Sequence, residues 1–151
     1  MEQNPESTVA LSLTVKDTAR ALEFYTKALG AKELFRMPSP GGGVAHAEFM
    51  IGDTRLYISD ESDNWHAYAM PEGTTASCLF SINTEDCDAA FNQATAAGAE
   101  SLSEPADQFW GMRSAIIKDP FGYRWSFSQK VEDVSPEELE KRAKELAAAG
   151  K

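Results

Sequence analysis

Leu11 to Ala31 reads LSLTVKDTARALEFYTKALGA, and Leu79 to Ala99 reads LFSINTEDCDAAFNQATAAGA. Each stretch is a strand-like run, an Asp, and a helix-like run closed by Gly-Ala. In the first, Val9, Leu11, Leu13 and Val15 alternate with Ala10, Ser12 and Thr14. That period of two suits a half-buried strand. Asp17 or Thr18 can cap the helix that follows. Ala21, Leu22, Tyr25 and Leu29 recur along it at helical spacing, and Gly30 suits the left-handed position that ends it. In the second stretch Asp86 or Asp88 opens the helix, Ala90, Phe91, Ala94 and Ala97 form its inner stripe, and Gly98 ends it. Asp17 and Asp86 are 69 residues apart. The same offset relates Arg55 to Arg124 and Ser59 to Ser128, within TRLYIS (Thr54 to Ser59) and YRWSFS (Tyr123 to Ser128). Two independent segments with one offset make an internal duplication the economical reading.

Working outward, each helix is followed by a short strand, Glu33 to Met37 in the first copy and a weaker run from Glu100 to Ser103 in the second. A Gly/Pro loop, Pro38 to Gly43, comes next in the first copy. Two further strands pair around Gly52-Asp53, or around Pro120-Phe121-Gly122 in the second. The spacing predicts module one over about 8–60, a polar linker over 61–75, module two over about 76–130, and a helix over about 135–149. That last helix opens on Ser135-Pro136-Glu137-Glu138, a capping Ser with Pro at the first helical position and acids in the first turn. The expected fold is one α+β domain of tandem βαβββ modules, with mixed sheets curled around a shared cleft.

The chain has 151 residues, enough for one core. Its net charge of -10, from 24 acids and 14 bases, argues against nucleic acid and anionic membranes as partners. Focused on a cleft, that charge would favour a cationic ligand; spread out, it keeps the protein soluble. The N-terminal MEQNPESTVA lacks a basic segment followed by an apolar one, and no apolar run reaches bilayer length, so a cytoplasmic address is expected. Cys78 and Cys87 have neither metal-ligand spacing nor a nearby His, and reduced thiols are expected.

The βαβββ-βαβββ order, the DPFG turn (Asp119 to Gly122) and the opening strand-Asp-helix with FY and LGA resemble the vicinal oxygen chelate superfamily, which includes the glyoxalases and bleomycin-resistance proteins. The resemblance spans about residues 8–130. HAEFMIGDTRLYISDE, the FWG of Phe109 to Gly111, and DPFGYRW running on to VEDVSPEE resemble its PhnB-like subgroup. In metal-using relatives, His or Glu ligands stand on the first and last strands of each module. The matching positions here are Ala10, Tyr57, Leu79 and Ser126, which implies that the usual divalent site is missing and that no cofactor is bound. Nor is there a glycine-rich adenosylmethionine loop.

Alternation then places Ser12, Thr14, Arg55, Tyr57, Ser59, Ser81, Asn83, Arg124, Ser126 and Ser128 toward the cleft. Leu11, Leu13, Val15, Leu56, Ile58, Phe80, Ile82, Trp125 and Phe127 pack under the helices. A lining of hydroxyls, an amide, a phenol and guanidinia suits a polar organic ligand; alternatively, Arg55 and Arg124 pair with surface acids. Trp110 is a candidate stacking residue or a plug for the end of the fold, and Arg113 a candidate partner for an anionic group. His46 and Glu48 share a strand face and have no visible third ligand. Trp65, His66, Tyr68 and Met70 are candidates for a flap. No nucleophile elbow and no phosphate-binding loop is present. Two readings stay open. One is a small-molecule-binding protein of the bleomycin-resistance kind, taking a polar or cationic aromatic compound, in the homodimer that the resemblance implies. The other is a metal-dependent lyase, isomerase or dioxygenase with a site rearranged around His46 and Glu48.

Overall fold

The computed structural model describes residues 7–150; most of the acidic N-terminal segment, residues 1–6, lies outside them. Module one runs β1 (Leu11–Val15), α1 (Thr18–Leu29), β2 (Lys32–Pro38), β3 (Val44–Ile51) and β4 (Thr54–Asp60). Module two runs β5 (Leu79–Asn83), α2 (Cys87–Ala96), β6 (Glu100–Asp107), β7 (Met112–Lys118) and β8 (Arg124–Lys130), and α3 (Pro136–Ala149) follows. The sheets have equivalent orders, β1-β4-β3-β2 and β5-β8-β7-β6, with the first pair parallel and the others antiparallel. The tandem α+β architecture is therefore as the sequence predicts. No helix among the described residues is long and apolar enough to cross a membrane. Cys78 is exposed and Cys87 buried, and both are free thiols.

Local chemistry fixes the helix starts. Asp17 accepts from the Arg20 backbone N–H at 3.0 Å and Asp86 from that of Ala89 at 3.0 Å, so two unsatisfied first-turn donors are capped in the same way. The Asp60 carboxylate accepts from the N–H of Thr18 and of Val44, both at 2.8 Å, tying the end of β4 to α1 and β3.

Both modules contribute to one core. Tyr25 of α1 stacks on Phe49 of β3 at 5.6 Å and meets Trp125 of β8 edge-on at 5.5 Å. Its hydroxyl donates to buried Asp119 at 2.6 Å. The Asp119 carboxylate also accepts from Trp125 Nε1 and from the N–H of Phe121 and Tyr123. Burial pushes this carboxyl above its ordinary value, against the opposing pull of the four donors. The Tyr123 hydroxyl donates to the Thr14 carbonyl at 3.0 Å and lies 3.2 Å from the Thr14 N–H, which bonds it in turn.

These contacts set how the modules meet. The helix-bearing faces turn inward together and the helix-free faces turn outward. No strand of one module pairs with a strand of the other among the described residues, which leaves β1 and β5 as sheet edges. The two sheets of one chain therefore do not close on each other. The physical reason is that the aromatic layer of Tyr25, Phe49 and Trp125 holds the apolar faces against each other. Leu11, expected under a helix, is 40% exposed, and Phe80 and Ile82 are only half-buried. These three line a groove of about 570 Å³ between the modules.

Candidate functional site

The helix-free faces gather most of the residues singled out from sequence. Across module one, register sets Ser12 beside Tyr57, Tyr57 beside Glu48 and Glu48 beside Phe35. Thr14 pairs with Ser59 and Met50 with Arg55. His46 joins this face two residues before Glu48. His46 Nε2 lies 3.3 Å from Glu48 Oε1, and Arg55 Nη1 lies 3.4 Å from Glu48 Oε2. The His46 ring sits 5.3 Å from Tyr57 and 5.9 Å from Phe35. The result is a carboxylate braced by an imidazole and a guanidinium, with an aromatic on either side of the imidazole.

Across module two, Ser81 pairs with Ser126 and Ser126 with Ile116, while Asn83, Ser128 and Ser114 form the next row. Ser126 Oγ donates to Ser81 Oγ at 2.9 Å. Leu79, Arg124 and Lys118 form the row nearer the start of β8. Arg124 Nε is buried and has no hydrogen-bond partner in the protein.

Three expected features stand elsewhere. Arg113 shares the parity of buried Ala115 and Ile117, so it lies on the helix side of β7. It bonds Asp88 at 2.8 and 2.9 Å and Asp107 at 3.0 Å, and its guanidinium holds the Asp88 carboxyl below the usual aspartate range. Trp110 projects from the β6–β7 loop, 45% exposed, edge-on to Phe109 at 5.0 Å. Gly111 locks that loop: its φ is +90°, its carbonyl accepts from Val131 and Glu132, and a Cβ there would lie 2.5 Å from the Glu132 carbonyl oxygen. In the linker, Trp65 ends a single 3-10 turn and is open to solvent, while Met70 packs beside Gly122 at the module junction.

The placement of His46 and Glu48 beside Tyr57 was missed from sequence, although a signal existed. The tight Gly52-Asp53 turn pairs Ile51 with Thr54, and counting back from it sets Glu48 opposite Tyr57. Lys118 was missed in the same way across the β7–β8 turn.

At the four superfamily ligand positions the chain offers Ala10, Tyr57, Leu79 and Ser126, hence one phenol and one serine hydroxyl. No three His, Cys, Asp or Glu side chains gather to hold a metal ion among the described residues. This donor set does not fit the divalent metal of metal-using relatives.

A family model described as Glyoxalase/Bleomycin resistance protein/Dioxygenase superfamily matches residues 8–127. The chain belongs to this superfamily. An uncharacterised Mycobacterium bovis relative is 33% identical over 143 residues, covering 93% of this chain and 94% of its own. Among solved structures, TioX from Micromonospora sp. ML1 superposes with a TM-score of 0.67 at 24% identity, over 83% of this chain and 100% of that one. A glyoxalase/bleomycin resistance protein/dioxygenase from Nocardioides gives 0.66 at 26% identity, over 90% and 91%.

Proposed function

We propose that this superfamily member binds a small polar organic molecule in a cleft built by two copies of the chain. In it, the helix-free face of module one from one copy opposes that of module two from the other. The observation that carries the reading is the packing within the chain. The two faces that bear hydroxyls, guanidinia and the His46–Glu48 pair turn away from each other, and the first strand of each module is left as an unpaired edge. Unpaired edges are templates for another strand. Here they flank an apolar groove in which Leu11 and Leu79, 40% and 43% exposed, await cover. We read the protein as cytoplasmic, as metal-free at the superfamily position, and as PhnB-like on the stretches around His46, Phe109 and Asp119.

The test joins assembly to binding. Light scattering should give about twice the 16.5 kDa chain mass, and Leu11→Glu, which puts a charge on the β1 edge, should shift the protein to monomer and weaken ligand capture together. A wild-type monomer with full ligand affinity would overturn the proposal. Metal analysis of untagged protein should find no stoichiometric divalent ion, and finding one would favour the second reading. That reading is an enzyme using His46 and Glu48. Its support is their 3.3 Å contact, the geometry of an imidazole oriented by a carboxylate for proton transfer.

A further inference from the structure

We infer that the ligand carries an oxyanion, a carboxylate- or phosphate-type group, and that Arg124 receives it. The inference rests on the helix-free faces being the ligand surface and names the charge they read. The chain as a whole is acidic, at -10. Its helix-free faces are the reverse: by strand register and alternation, Lys32, Arg55, Lys118, Arg124 and Lys130 stand there against Glu48 and Glu100. The net acidity expected to favour a cation is therefore carried on other surfaces. Two of the five bases are already engaged, Arg55 with Glu48 and Lys130 with Asp133. Arg124 and its register neighbour Lys118 form no ion pair among the described residues.

Arg124 also has a specific deficit. No hydrogen bond or ion pair within the described residues fixes its guanidinium, and even Nε, enclosed by the chain, is left unpaired, a costly and rare state, so the part of the guanidinium that reaches the surface is free to take a ligand. The guanidinium is a planar fork suited to two oxygens at once, and an oxyanion satisfies such a donor more strongly than a neutral acceptor does. The neighbouring row supplies further donors. The Ser81–Ser126 hydroxyl pair leaves one proton to direct outward, and Leu79 gives an apolar wall for an organic body. Arg124 is thus a binding residue that selects charge.

The experiment is a nuclear magnetic resonance titration of the full isotopically labelled chain with benzoate and, separately, with benzylamine, a cation of similar size. Benzoate should move the backbone signals of Leu79, Ser81, Arg124 and Ser126, and should move the Arg124 Nε–Hε signal, a readout that requires no variant. Arg124→Gln should weaken benzoate at least about tenfold, and Arg124→Lys by less, since it keeps the charge and loses the fork. Benzylamine moving these signals while benzoate does not would overturn the oxyanion assignment and leave the ligand surface standing. If neither probe moves them, both readings fall. Benzoate binding that is unchanged in Arg124→Gln, or that leaves the Nε–Hε signal in place, would overturn the role of Arg124.

Discussion

At Asp119 one buried carboxylate accepts from Tyr25 of the other module and from Trp125 and two backbone N–H groups of its own. Asp119→Asn should cost about 2–4 kcal/mol, because an amide turns an N–H toward donors in a buried site. Tyr25→Phe, which removes one donor, should cost nearer 1 kcal/mol. Urea unfolding of the two variants checks that order, and equal losses would contradict it. Gly122→Ala should cost about 1–3 kcal/mol, since φ is +99° and the new Cβ would stand 3.0 Å from the Thr74 carbonyl oxygen. At this scale the DPFG turn was legible in sequence and its buried network was not. The partner Tyr25 lies 94 residues away, and nothing in local spacing links the two. Arg113 was legible in principle: it shares parity with Ala115 and Ile117, which placed it on the helix side.

α3 shows what an element looks like when side chains alone hold it. It buries no residue, and Arg142 is its tether, reaching the Phe109 carbonyl at 3.0 Å and Glu132 at 2.7 Å. Arg142→Ala should raise amide exchange over residues 136–149 while moving the melting temperature by about 2 °C or less. The tether should also be sensitive to pH. Arg142 holds the Glu132 carboxyl below its ordinary value. A depressed folded value contributes stability that is present above the unfolded value, about 4.3, and lost as pH falls through the folded one. Protection factors in α3, corrected for the intrinsic exchange rate, should therefore fall as Glu132 becomes protonated and in high salt, before the core responds. The sequence indicated this helix through its cap, Ser135 with Pro136 and two acids, because capping is local chemistry. Its sparse apolar residues also mark it as a surface helix appended to the core, whereas the Arg142 contacts that hold it depend on distant residues.

For the whole molecule, one core shared by both modules predicts one cooperative transition. Far-ultraviolet dichroism and tryptophan fluorescence should follow the same urea curve, and two separated steps would show that the modules unfold independently. Parity along β1, β4, β5 and β8 was readable because an apolar stripe must be buried somewhere. Which stripe meets which was not, because closing the sheets into a cleft and packing them through their helices bury almost the same residues. The inward-facing helices carry one more consequence, which is thermodynamic. If the proposed cleft is shared by two copies of the chain, its occupancy is tied to assembly by mass action. A ligand held there would bind more weakly in dilute protein, and its saturation would tighten the association of the chains by the same factor, since linkage is reciprocal.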